Sequence, residues 1–148
     1  YGFEWETLSW QESFIRGWLN NEFMDEAFEK EERKAISKTK VKNYFLAESG
    51  RKEENDTKDQ IFLLSIEETE KYFESRYDRV AKDTDYVIDL ANRSDLSYDK
   101  DEWLLRTIDK DGPSFVWRSG GISHEIEDIS EKSYGIRPAF WLDLEKLK

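Results

Sequence analysis

Gly135-Ile136-Arg137-Pro138-Ala139-Phe140-Trp141-Leu142 is an apolar, aromatic run, and Trp103-Leu104-Leu105-Arg106-Thr107 repeats its character further up the chain. Each run carries one arginine. In a chain this acidic, such runs are where a core must form, and reading them as partnered strands decides the fold. Strand-like stretches at 103–108, 115–119 and 136–142 are separated by Asp111-Gly112-Pro113, by Gly120-Gly121 and by Ser133-Tyr134-Gly135. Turn chemistry at that spacing predicts a small antiparallel meander.

The preceding sequence has a different rhythm. Ser9-Trp10-Gln11-Glu12 reads as a capping box. Trp10, Phe14 and Trp18 then recur every fourth residue, as do Ile15, Leu19 and Phe23, which predicts a helix with a broad apolar stripe. Asn20-Asn21 marks its end or a kink. Met24, Ala27, Phe28 and Ile36 carry a helical rhythm through a charged segment at 25–35, whose Glu29–Lys34 run reads as a solvated face with helical ion pairs. Residues 39–46 alternate like a strand and 48–58 read as a loop. Gln60-Ile61-Phe62-Leu63-Leu64-Ser65 is short enough to be a buried strand. Ser65-Ile66-Glu67-Glu68 is a second capping box, opening a helix to about Tyr77 with Ile66, Thr69, Tyr72 and Phe73 inward. Residues 78–92 suggest a short helix and an irregular packed segment, and 92–102 a polar loop. Helices first and strands last predict an α+β fold.

At 148 residues the chain suits one domain, 1–148. Apolar residues make up only 37%, but aromatics make up 15%, and large rings build a core from few residues. A net charge of −11 disfavours nucleic acid and anionic membrane surfaces as partners. The absence of cysteine excludes disulfides, thiolate zinc sites and thiol catalysis. No apolar run approaches the roughly 20 residues of a membrane helix, so no membrane insertion is expected in this segment. The start at Tyr1-Gly2-Phe3, without an initiator methionine, fits a processed or excised piece of a longer chain.

Several of these landmarks, taken together, resemble a bacterial family of domains of unknown function. Trp10, Ser13, Ile15-Arg16, Trp18-Leu19-Asn20, Phe23 and Ala27-Phe28 match its opening. Asp59 to Glu68 matches a D-x-I-F-L-L-S-x-x-E run. Trp103-Leu104-Leu105-Arg106-Thr107 matches a W-L-R-S strand with Thr in place of Ser, and Gly135 to Leu142 matches G-(V/I)-R-P-A-x-W-(I/L). The closing elements are similar in layout to the C-type-lectin-like fold of formylglycine-generating-enzyme relatives. The resemblance implies a C-type-lectin-like domain lacking an N-terminal strand of its parent chain, with amphipathic helices on a small, twisted, mostly antiparallel sheet. It implies no catalytic residues. The calcium motifs E-P-N, Q-P-D and W-N-D are missing, and the oxidase chemistry of the relatives needs cysteines that are absent here.

Arg106 and Arg137 are the sharpest candidate binding residues. A guanidinium among apolar side chains must be paired or stacked. It either grips a carboxylate or phosphate ligand or, the reading the residue types favour, pairs with an internal carboxylate or stacks on Trp103, Trp117 or Trp141. Trp117 and Tyr98, with Tyr1, Phe3 and Trp5, are candidates for a stacking platform for sugar or peptide. His124-Glu125 near Ser123 lacks the elbow and the second histidine that a nucleophile or metal helix needs and reads as a surface turn. Asp109-Lys110-Asp111-Gly112 imitates the start of a calcium loop, but Pro113 follows and the later glutamate is missing, so it reads as a hairpin turn. No metal and no cofactor is expected. The predicted function is that of a non-catalytic binding or interaction module of a bacterial surface or secreted protein, with carbohydrate or protein as partner. A carboxylate-based hydrolase or transferase and a structural spacer are the alternatives.

Overall fold

In the computed structural model, which describes residues 9–46, 52–54, 56–94, 98–109, 112–123 and 133–147, the expected first helix starts late. Trp10–Glu12 form a 3-10 turn, and Ser9 Oγ donates to the Glu12 carboxylate at 3.4 Å instead of capping a helix. The helix proper, α1 (Phe14–Asn20), is capped by Ser13, whose hydroxyl accepts the Arg16 N–H at 3.3 Å. The shift turns the stripe. Trp10, Ile15 and Leu19 are buried, whereas Phe14, expected inside, is 64% exposed. The charged helix expected at 25–35 is two short ones, α2 (Glu22–Ala27) and α3 (Lys30–Ala35), broken at Phe28. Glu29 opens α3 in a reciprocal cap with Glu32, which an acidic side chain can do as well as serine.

The predicted strand at 39–46 is likewise split, into β1 (Thr39–Val41) and β2 (Tyr44–Leu46), with buried Asn43 between them. The segment read as a loop contains β3 (Lys52–Glu54) and β4 (Thr57–Asp59), which pair antiparallel with β2 and β1 respectively. Only Ile61–Phe62 (β5) of the next run is a regular strand. The Ser65 capping box forms as expected and opens α4 (Ile66–Tyr72). This helix stops short of Tyr77. Thr69 is its buried residue, while Tyr72, expected inward, is 45% exposed. A 3-10 turn (Arg76–Arg79) and α5 (Asp85–Ser94) follow.

The long strand β6 (Tyr98–Asp109) begins inside the expected polar loop and becomes the hub of the sheet. It forms the antiparallel meander with β7 (Gly112–Val116) and β8 (Ile122–Ser123). Asp109 stands opposite Gly112 at the hairpin end. On its other edge β6 meets different segments in turn. β9 (Ser133–Gly135) runs parallel, with Gly135 opposite Trp103; the Leu64 carbonyl then takes the Arg106 N–H at 3.0 Å; β2 runs parallel at Phe45 and Ile108. The sheet is therefore mixed. Leu104 points into a core with Trp10, Ile15, Leu19, Ile61 and Phe115, while Trp103 and Leu105 point into a second with Val116, against which Ile66 and Phe73 pack. A strand buried on both faces leaves no polar positions to alternate with, which explains the unbroken Trp103-Leu104-Leu105.

The closing run takes a different place from the one expected. Beyond Gly135 it leaves β6. Its strand β10 (Ala139–Phe140) pairs antiparallel with β5, and Leu142 bridges to Ile36. Ile136, Phe140, Trp141 and Leu142 are 38–52% exposed, so this run lines the surface above the core. The turn between β7 and β8 is seated on the 3-10 turn at Arg76–Arg79. Gly120 has φ of 79°, and a Cβ there would meet the Arg76 carbonyl oxygen at 1.7 Å.

Candidate functional site

Arg106 sits mid-strand on β6, 3% exposed, and every one of its N–H groups has a direction to go. Nε donates to Asn43 Oδ1 at 3.0 Å, Nη1 to the Leu63 carbonyl at 2.7 Å and to Glu68 Oε2, and Nη2 to the Lys42 carbonyl at 2.9 Å and Glu68 Oε1 at 2.9 Å. The pairing with Glu68 is the bidentate fork that suits a guanidinium. Glu68 is held for it, because the same carboxylate accepts the Ser65 N–H in the α4 capping box. Asn43 passes the network on, donating to Thr57 Oγ1 at 3.0 Å, and Thr57 donates to Asp59 Oδ2 at 2.6 Å. Asp59, 1% exposed, also accepts Trp10 Nε1 at 2.9 Å and Arg16 Nε at 2.7 Å. A continuous polar spine thus runs from α4 through β6 and β4 to α1, and two charges are compensated by two others along it.

Arg137, between β9 and β10, is held differently. Its guanidinium lies over the Phe73 ring (5.3 Å to the centroid) and the Trp103 ring (5.1 Å). Among the described residues its hydrogen-bond partner is the Arg79 carbonyl, 3.4 Å from Nη1, and no carboxylate pairs with it. The same carbonyl accepts Trp103 Nε1 at 3.1 Å, so the 3-10 turn positions both the ring and the cation. Arg79 itself has a buried Nε with no partner. Stacking engages the faces of a guanidinium and leaves its in-plane donors available.

At the C-terminal end of α4 lies an aromatic surface. Tyr72 and Trp141, 45% and 52% exposed, meet edge to face with centroids 6.1 Å apart. The last two aromatics of the α4 region thus divide their work: Phe73 turns under Arg137, and Tyr72 turns toward Trp141. On the other side of β10, Phe140 continues a row of rings, Phe28 at 5.3 Å, Phe23 at 6.2 Å from Phe28 and Trp18 at 5.2 Å from Phe23.

Of the expected binding residues, Arg137 stacks on Phe73 and Trp103, and Arg106 belongs to the interior spine. Trp117 is 41% exposed at the end of β7, 4.6 Å from the Phe115 ring, on a different part of the sheet. Tyr98 stands opposite Ser133 in the β6–β9 ladder, and its side chain lies outside the described residues, as do Tyr1, Phe3, Trp5, His124 and Glu125. Among the described residues, no group of three His, Cys, Asp or Glu could hold a metal ion, and no helix is long and apolar enough to cross a membrane. Tyr72, Phe73, Arg79 and Trp141 were not singled out as site residues by their sequence pattern. Tyr72 falls on the helical rhythm of α4 and Trp141 in an apolar run, and both signals point inward.

The class defined by these features is an α+β fold with a mixed sheet, a polar spine of paired charges through its interior, and a guanidinium held between aromatic rings. The chain belongs to the family described as Domain of unknown function (DUF6273), which matches residues 3–144. No curated protein and no solved structure matches it.

Proposed function

We propose that this chain is a non-catalytic binding or interaction module of a bacterial surface or secreted protein, of the C-type-lectin-like kind, and that its ligand face is the surface of Tyr72, Trp141 and Arg137. The observation that carries the reading is a half-exposed edge-to-face pair, Tyr72 and Trp141, on one side of the α4 end, while Phe73, the next residue, carries a stacked guanidinium that has no carboxylate partner among the described residues. Aromatic and arginine side chains dominate the binding energy of protein interfaces, because they offer large contact areas and directional donors at little entropic cost. The lectin-like part of the reading is supported by the order of the elements, helices first and a β6–β7–β8 meander late.

The test is binding to a peptide panel and a glycan panel, with the contact surface mapped by 1H–15N NMR. The expected result is perturbation of the Trp141 indole N–H and of the amides of Tyr72 and Phe73. It should be accompanied by an affinity loss of about tenfold or more for Trp141→Ala with an unchanged melting temperature. Ligands that shift only resonances around Trp117, or that bind Trp141→Ala as well as the parent, would place the site elsewhere.

A further inference from the structure

The chain contains 34 acidic residues against 23 basic ones, and four of the described arginines pair with carboxylates. Arg16 pairs with Asp59, Arg33 with Asp25, Arg93 with Asp89 and Arg106 with Glu68. Arg79 and Arg137, both half-buried, have no carboxylate partner among the described residues, and Arg137 donates to the backbone carbonyl of Arg79. Leaving a partly desolvated guanidinium without an anion is unfavourable, and in so acidic a chain a partner is readily supplied. The Arg79 Nε is likewise buried without an acceptor among the described residues. Phe73 and Trp103 fix the Arg137 plane, so its donor edges are pre-oriented before any ligand arrives.

We infer that the seam between the Arg76–Arg79 turn and Gly135–Trp141 is a carboxylate-binding site, and that its ligand is an acidic peptide segment. Arg137 grips the carboxylate, and Tyr72 and Trp141 receive the apolar neighbour of the acidic residue. This inference rests on the binding reading above and names its ligand. A peptide fits better than a polyanion. Against a net charge of −11, long-range electrostatics repel a dense negative ligand, whereas one carboxylate beside an apolar side chain gains the short-range fork and the aromatic contact while suffering little repulsion.

The experiment uses a pool of hexapeptides, N-acetylated and C-terminally amidated, with one fixed Glu beside a Leu and the other positions randomised among uncharged residues, the same pool with Gln in place of Glu, and a galacturonic acid disaccharide. Binding is followed by titration and by the side-chain Nε–Hε resonances of Arg137 and Arg79. The expected result is that the Glu pool binds about tenfold or more tightly than the Gln pool, as one charge-assisted fork predicts. Arg137→Lys, which keeps the charge but loses the planar fork, should remove most of that ratio, and Trp141→Ala should weaken both pools alike. Equal binding of the two pools at this surface overturns the carboxylate inference and leaves the binding reading standing. Binding of the disaccharide with neither pool bound overturns the peptide as ligand. No binding of any probe and no shift at Arg137 or Trp141 overturns both readings.

Discussion

Arg106 and Arg137 come from sequence runs of the same character, yet one is enclosed and the other is half open. Arg106 has Leu104 beside it on one face of a strand that is covered on both sides, and three separate segments contribute its acceptors: Lys42-Asn43, Leu63 and Glu68. Arg137 lies just past the end of β9, where the chain leaves the sheet, and rings rather than carboxylates receive it. The difference shows that a cation's fate in an aromatic run is set by what the neighbouring elements can offer. An element that presents a carboxylate, as α4 does with the capping-box Glu68, makes the cation structural. Rings alone hold it in place without satisfying it.

The comparison breaks first at Arg106. Arg106→Ala leaves Glu68, Asn43 and two backbone carbonyls without their donor, and a loss of about 3–5 kcal/mol is expected in denaturant unfolding. Arg106→Lys should recover little, because an ammonium cannot reach all four acceptors. A loss of under 1 kcal/mol would mean that the spine does not hold α4 to β6. Arg137→Ala tests the other half. Only stacking on Phe73 and Trp103 and one long hydrogen bond disappear, so the expected loss is about 1–2 kcal/mol, visible as a modest fall in melting temperature. A loss as large as that of Arg106→Ala would make both arginines equally structural and remove the contrast. The smallest effect concerns Ser114, which is 1% exposed and whose hydroxyl lacks a partner among the described residues. Unlike the spine residues it has no bond to lose, so Ser114→Ala should be neutral or stabilise by up to about 1 kcal/mol. Destabilisation in the same unfolding experiment would reveal a hidden partner.

Much of the architecture was legible in local chemistry. The Ser65–Glu68 box marked the start of α4, and the unbroken Trp103-Leu104-Leu105 run marked the doubly covered strand, because both signals depend on residues close in sequence. The misplaced features depend on distant partners. Ser9 looked like a cap, but the Trp10 indole is drawn to Asp59, and the helix begins at Ser13 instead. The run at 136–142 looked like core, but the edge of β6 that it would have needed is taken by β9, Leu64 and β2. It therefore pairs with β5, and Trp141 remains at the surface. The candidate surface was half legible for that reason. An arginine among aromatics announced itself at Arg137, while Tyr72 and Trp141 carried the same apolar signal as true core residues.

The attachment of the last run also bears on how the chain is assembled as it leaves the ribosome. Trp141 and Asp143 complete backbone bonds with Ser37 and Ala35, at 2.8 Å and 2.7 Å, and Phe140 stands opposite Ile61. An early helical region and an internal strand thus wait for residues synthesised about a hundred positions later. Such long closures slow folding, and until they are made the edges of β5 and of the 35–37 segment are open to pairing with other chains. Synthesis interrupted before residue 140 leaves these edges unpaired, so the closing run acts as a late-arriving cover against self-association during biogenesis.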